Sequence, residues 1–368
     1  MTITAVDHDR TWLNVEFSDG TRSRFLATWL RDNVGAGRHR KEGQRTFDIN
    51  TLPAVTIAGA QHTAEAVTVS FEPEGVDECF DEEWFRRYGN ADDHEIGVVP
   101  SPRLWGAELQ GSLRFEDYPS LLDDTDRLRA WLTHVRDDGF GLLENVPTEE
   151  ESIFDAVDLF GYVRETNYGR LFDVRVEDDP ANLAFTNLRI GMHTDNPYRD
   201  PVPGLQLLHC LVNESDGGDN QLCDGFAVAA RIRDDHPDAF ELLTTQPVRF
   251  RFLEEGSADL QTRVPLIELD PMGEVKSIRY NSRSIQAFEM PSSTIADFYA
   301  AYRILGEALH DPAALIEFRL DPGQLMVFDN QRVLHGRTAY NQGHRHLQGC
   351  YADKDSLQSK IRTLEASP

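Results

Sequence analysis

Near the start of the chain, apolar residues alternate with polar ones. Leu13, Val15 and Phe17 are separated by polar positions, Ser18-Asp19-Gly20-Thr21 has turn composition, and Arg22 to Leu26 resumes an extended pattern. A period of two around a glycine-containing turn predicts a β-hairpin. Ala66 to Phe71 predicts a further strand, and Asp81 to Tyr88 a short helix. The period then lengthens. Leu128, Trp131, Leu132 and Val135 recur at helical spacing, which predicts a helix over 121–138, stopped by Gly139, with a strand beginning at Phe140. Residues 151–160, 226–234 and 237–244 also read as helices, and 291–309 as a long one with Phe298, Tyr302 and Leu305 on one face. Strands dominate from Phe185 to Leu211 and recur at 247–252, 276–281, 316–320, 325–328 and 345–351.

Many strands with a few buttressing helices predict a mainly β fold, a double-stranded β-helix (jelly roll). A small β-rich N-terminal domain over 1–95 precedes it, then a linker over 96–115 containing Pro100 and Pro102, then the jelly-roll domain over 116–368. A chain of 368 residues has room for such a core. Four scattered cysteines (Cys79, Cys210, Cys223, Cys350) give neither metal-knuckle spacing nor a disulfide scaffold. Met1 to Asp7 shows no basic region followed by an apolar stretch, and no apolar run reaches the ~18 residues of a membrane helix. The expectation is a cytoplasmic protein without a membrane partner.

Charge changes the picture for partners. Net charge is -27, with 63 acidic residues, and Lys41, Lys276, Lys354 and Lys360 are the only lysines. Nucleic-acid binding rests on basic groups at phosphates, so this balance argues against it. It reads as a solvated acidic surface, with salt adaptation as an alternative cause. An anionic substrate must meet arginines within the site, because screening acts over roughly 8 Å.

The candidate chemistry is three residues. His193 and Asp195 stand two apart in Gly-Met-His-Thr-Asp-Asn-Pro-Tyr, and His335 follows in Asp-Asn-Gln-Arg-Val-Leu-His-Gly-Arg. Two histidines and one carboxylate make the facial triad that holds non-haem Fe(II) with open positions. A strand end would point the first pair the same way. A bare His-x-Asp is also common by chance, and surface histidines are the competing reading. The apolar run 203–211 and the turn and strand of 322–330 place both segments at strand edges. Arg345, ten residues after His335, is a candidate clamp for a carboxylate cosubstrate.

These segments, together with Arg345 to Asp353 and Trp29-Leu30-Arg31-Asp32-Asn33, resemble the γ-butyrobetaine hydroxylase branch of the Fe(II)/2-oxoglutarate dioxygenases. That branch also contains trimethyllysine hydroxylase and the hydroxylase of 2-(trimethylamino)ethylphosphonate. The resemblance implies that His193, Asp195 and His335 ligate iron and that Arg345 binds the distal carboxylate of 2-oxoglutarate. It implies a reaction in which O2 and 2-oxoglutarate give succinate, CO2 and a hydroxylated substrate. A homodimer is also implied. Many relatives hold a structural zinc just after the Trp-Leu-Arg-Asp-Asn signature; Val34-Gly35-Ala36-Gly37-Arg38 has no cysteine there, so no zinc is expected.

The same resemblance places a quaternary ammonium in an aromatic cage of Tyr168, Phe172, Phe185 and Tyr351, and the substrate's anion at Asn182 and Asn281. Asn196, Tyr198 and Arg199 follow Asp195, and Arg283 lies two after Asn281. Arg189 and Arg199 could equally be exposed ion-pair residues. A phosphonate has three acceptor oxygens and suits more donors than a carboxylate does. The leading expectation is therefore 2-(trimethylamino)ethylphosphonate hydroxylated next to phosphorus, with γ-butyrobetaine hydroxylation to carnitine as the alternative. A betaine-binding protein without catalysis, and a jelly-roll protein using another metal without 2-oxoglutarate, are the readings from other classes.

Overall fold

The structure is a computed structural model that describes residues 2–39, 41, 43–89, 102–175, 186–341 and 343–366. It divides into two compact units, Met1–Val99 and Pro100–Pro368.

The first unit carries β1 (Ile3–His8), β2 (Trp12–Phe17), β3 (Arg22–Leu26), α1 (Ala27–Asp32), β4 (Thr56–His62), β5 (Ala66–Glu72), β6 (Val76–Asp81) and α2 (Glu82–Tyr88). The strands form two antiparallel sheets, β1-β2-β3 and β4-β5-β6. Period-two alternation puts Leu13, Val15 and Phe17 of β2 and Val67, Val69 and Phe71 of β5 into one core with Leu30 and Phe85. The Trp-Leu-Arg-Asp-Asn signature is structural here. Leu30 is buried, and Arg31 makes two parallel bonds to Glu74, 2.9 and 3.0 Å.

The second unit begins with β7 (Glu116–Asp117), α3 (Tyr118–Asp123), α4 (Thr125–Asp138), β8 (Phe140–Glu144), α5 (Ile153–Asp158), β9 (Phe172–Val174) and β10 (Ile190–His193). It continues through β11 (Leu205–Asn213), β12 (Asn220–Asp224), α6 (Gly225–Asp235), α7 (Pro237–Thr245), β13 (Val248–Glu254), β14 (Ala258–Val264), β15 (Ile267–Leu269) and β16 (Val275–Ile278). It ends with α8 (Ser292–Leu309), β17 (Leu315–Phe318), β18 (Leu325–Asp329), β19 (Val333–Arg337), β20 (Arg345–Ala352) and α9 (Lys354–Glu365). A six-stranded sheet, β7-β8-β18-β11-β20-β9, packs against a four-stranded one, β10-β19-β12-β17. Leu208, Met326 and Leu347 from the first meet Leu222, Ile316 and Val333 from the second in one core. Helices cover the outer face of each sheet. This is a double-stranded β-helix, and no helix among the described residues is long and apolar enough to cross a membrane.

One expected helix differs. The segment 121–138 divides into α3 and α4 at Asp124, whose carboxylate accepts from the N–H groups of Asp126 and Arg127 at 2.9 and 3.1 Å. An aspartate so placed caps a new helix rather than continuing an old one. Gly139 does end α4, in the left-handed region at φ 80°.

His209 on β11 is fully buried and neither ring nitrogen has a partner. Burial pushes its imidazole down to about 4, below the ordinary value of 6.5. The unfolded chain therefore binds a proton between pH 6.5 and about 4 that the folded protein refuses. Stability is full above that window and falls as the pH drops through it, by up to about 3 kcal/mol from this group. Denaturant unfolding of His209→Leu is expected to show a shallower loss across the window than the parent. Equal slopes would remove His209 from the acid response.

Candidate active site

The jelly roll explains why residues so far apart in sequence meet. β10 ends at His193 and pairs antiparallel with β19, which puts His193 directly opposite His335, ring centroids 4.1 Å apart. Asp195 stands just past the strand end. Its Oδ1 lies 3.4 Å from His193 Nε2 and its Oδ2 4.0 Å from His335 Nε2. The ligand atoms of all three lie within 4.8 Å of one another, and no other His, Cys, Asp or Glu group among the described residues does this. His193 Nδ1 donates to Gly191 O at 2.9 Å, which directs the lone pair of Nε2 toward the centre.

The turn after β10 is held from both sides. Thr194 N donates to Tyr280 O at 2.8 Å, and Tyr280 N donates to Thr194 Oγ1 at 3.1 Å. Asn330, fully buried beyond β18, accepts from Asp195 N at 2.7 Å and donates to Asp195 O and Pro203 O at 2.9 and 3.2 Å. Tyr351 Oη donates to Asp195 Oδ2 at 3.0 Å. Burial opposes ionisation of Asp195, yet the imidazoles of His193 and His335 and the Arg283 guanidinium hold its carboxyl well below the usual range. Burial, with repulsion from His193, pushes His335 down to about 3. A neutral His335 beside an ionised carboxylate is the protonation pattern a metal requires.

The triad opens into a cavity of about 520 Å³. At one end stand two arginines. Arg345 opens β20, and Arg337 closes β19 two residues after His335. Both lie by the ring of Tyr340, at 5.6 and 4.9 Å. Arg345 makes one long bond, Nη2 to Gly218 O at 3.4 Å, and its Nε is buried without a partner. Arg337 Nη2 donates to Thr186 O and Leu188 O at 2.7 and 2.8 Å, while its Nε and Nη1 are buried without partners. Burial lowers both guanidinium values, Arg337 to about 10, helped by its neighbour's charge. Buried donors left unpaired call for an anion, and a dicarboxylate fits.

The other end is aromatic. Tyr168, Phe172 and Tyr351 line it as expected, with centroid separations of 6.4 Å for Tyr168–Phe172 and 5.2 Å for Phe172–Tyr351. A Cβ at Gly349 would collide with the Phe172 ring, so glycine there lets that ring lie against β20. Tyr198 also lines this end: its ring stacks on Phe252 at 5.1 Å, and Phe252 in turn lies 5.8 Å from Tyr168. The Tyr168 and Tyr198 hydroxyls are 3.2 Å apart, and Tyr198 donates to Asn196 Oδ1 at 2.6 Å.

Arg283, Asn281 and Asn196 line the cavity together with Ser284. Asn196 sits at φ 54°, and its Nδ2 and Ser284 Oγ are buried without partners. Asn281 is largely committed to the main chain, donating to Thr194 O at 3.0 Å and accepting from Arg283 N at 3.1 Å. Arg199 lies outside the lining and donates to Asn167, and Arg189 is exposed. Asn182 and Phe185 lie outside the described residues. Sequence reasoning missed Arg337, Phe252 and Asn330. The spacing from His335 to Arg337 carried a signal, since residues two apart on a strand share a face; nothing in the local sequence marked Phe252.

Residues 98–351 match the family model described as taurine catabolism dioxygenase TauD, TfdA family. Over 96% of this chain and 94% of the relative, the protein is 36% identical to a γ-butyrobetaine dioxygenase from Pseudomonas sp. (strain AK-1). The human γ-butyrobetaine dioxygenase is 29% identical over the same shares. The mitochondrial trimethyllysine dioxygenase of Gallus gallus is 30% identical over 96% of this chain and 86% of its own. The chain therefore belongs to the TauD/TfdA family, among its γ-butyrobetaine dioxygenase-like members, and is an Fe(II)- and 2-oxoglutarate-dependent dioxygenase.

Proposed function

We propose that the protein hydroxylates a small trimethylammonium zwitterion, γ-butyrobetaine foremost, with His193 Nε2, Asp195 and His335 Nε2 holding the iron. Two imidazoles and one carboxylate on one side of the ion leave positions for cosubstrate and O2. Bound Fe(II), with 2-oxoglutarate and O2, supplies the oxidising chemistry, and succinate and CO2 leave as coproducts. Arg345, with Arg337 beside it, receives the distal carboxylate of 2-oxoglutarate through the donors left unpaired in the cavity. The protein's remaining task is to place one C–H of the substrate at the metal and to exclude alternatives.

The observation that carries the substrate class is the aromatic wall in the same cavity as the triad. Tyr168, Phe172, Tyr198, Phe252 and Tyr351 surround one end with rings and no carboxylate of their own. A quaternary ammonium cannot donate hydrogen bonds, so ring faces recognise it, each contributing about 0.5–2 kcal/mol. Burial raises the Tyr168 and Tyr198 hydroxyls, so both stay protonated and the wall adds no anion.

The substrate's anion then meets Arg283, Asn196 Nδ2 and Ser284 Oγ. Arg199, one of the donors that favoured a phosphonate, lies outside the cavity lining and donates through Nη2 to Asn167. Three donors still suit three oxygens, and this keeps 2-(trimethylamino)ethylphosphonate as a second reading. Succinate release with each compound tests the pair. Turnover of γ-butyrobetaine with little from the phosphonate is the expected result, and the reverse would install the phosphonate. Arg283→Ala is expected to lower kcat/KM for the preferred substrate by at least ~1.5 kcal/mol, the value of a charge-assisted bond. An unchanged kcat/KM would take Arg283 out of substrate binding.

A further inference from the structure

One side chain belongs both to the aromatic wall and to the surroundings of the triad. The Tyr351 ring is a wall of the aromatic enclosure, 5.2 Å from Phe172. Its hydroxyl donates to Asp195 Oδ2 at 3.0 Å, while Asp195 Oδ1 faces His193 Nε2 at 3.4 Å. Tyr351 is itself buried and lies on β20, near the end of the strand that Arg345 begins. The other cage hydroxyls are arranged differently. Tyr168 meets Tyr198, and Tyr198 meets the Asn196 side chain, so neither touches a triad residue.

We infer that Tyr351 is a positioning residue that couples occupancy of the aromatic enclosure to the metal centre, by fixing which oxygen of Asp195 is presented to the ion. A carboxylate free to rotate can bind a metal through either oxygen or both. Holding Oδ2 with an O–H donor leaves Oδ1 for the ion and fixes the plane of the group. The ring cannot shift against a bound cation without moving that donor, because ring and hydroxyl are one rigid body. A cation against the ring and an ion on Asp195 therefore influence each other's binding, and thermodynamic linkage makes the influence equal in both directions. The cation half of this inference rests on the substrate class proposed above; the hydroxyl half does not.

The test is binding, without turnover. Mn(II) affinity is measured by paramagnetic resonance in the wild type and in Y351F, F172L and Y168F, each with and without tetramethylammonium. Y351F keeps the ring and loses the hydroxyl. It is expected to bind Mn(II) about 10- to 100-fold more weakly, the usual cost of removing a partner of a metal ligand, while tetramethylammonium affinity stays within about threefold because each ring contact survives. F172L is expected to weaken tetramethylammonium and spare Mn(II). Y168F is expected to leave Mn(II) affinity unchanged. In the wild type, tetramethylammonium changes Mn(II) affinity; in Y351F that change disappears. Wild-type Mn(II) affinity in Y351F, an equal loss in Y168F, or coupling that persists in Y351F would overturn the inference. If tetramethylammonium fails to bind the wild type, the cage reading falls and the coupling falls with it, a different signature from a cation that binds without coupling.

Discussion

Replacing Asp195 by alanine is expected to abolish succinate formation and to strip the protein of tight Fe(II) binding. Asp195 is the one anionic member of the triad, held ionised by the groups around it. Without it, the ion would face two neutral imidazoles and the Tyr351 hydroxyl, with no charge to offset its own in a buried site. Removing one partner of a buried charge pair costs about 3–5 kcal/mol, which is at least about a hundredfold in metal affinity. The turn that carries Asp195 is fixed through its main chain by Asn330, so the substitution leaves the fold in place. Metal titration and a 2-oxoglutarate-dependent succinate assay on the same preparation decide the matter. Normal turnover by the variant would refute the assignment of the metal to this triad.

The second large effect is expected at Arg345. Its guanidinium is buried beside Arg337, with an unpaired Nε and a single long bond to Gly218. Arg345→Met keeps most of the volume and removes the charge. Truncating one member of a buried, hydrogen-bonded charge pair costs about 2–5 kcal/mol, so 2-oxoglutarate affinity falls between about 30-fold and several thousandfold. The loss shows chiefly in the KM for 2-oxoglutarate, with kcat at saturation changed much less, because the contact is made equally in ground and transition states. Arg337, still present, limits the loss to the lower part of that range if it shares the carboxylate. A variant whose KM for 2-oxoglutarate matches the parent would place the cosubstrate elsewhere.

How far the sequence could be read depended on whether the relevant signal was local. The hairpin β2–β3 was legible because alternation and a Gly-containing turn lie within a few residues. The segments carrying His193 and His335 were legible because a short motif of distinctive residue types survives without knowledge of the fold. The break between α3 and α4 was missed because apolar periodicity runs through Asp124, and its capping bonds count for more than the period. β12 and α9 were passed over for a related reason: every residue of β12 is buried, so no alternation marks it, and α9 fully buries only Leu357 and Ile361. At the site, the enclosure depends on register and packing. Phe252 reaches the cavity from the β13–β14 hairpin, and Arg199 turns away toward Asn167, although it stands only four residues from Asp195. No property of either residue type foretells that.

The clasp made by Asn330 bears on what becomes of the site when the metal leaves. Because hydrogen bonds from the protein, rather than the ion, set the backbone at Asp195, loss of the metal does not require the site to unravel. Metal-free protein is therefore expected to keep its fold and to regain activity on addition of Fe(II). Recovery of activity on metal addition is then expected to follow the rate of Fe(II) binding, without a slow refolding phase.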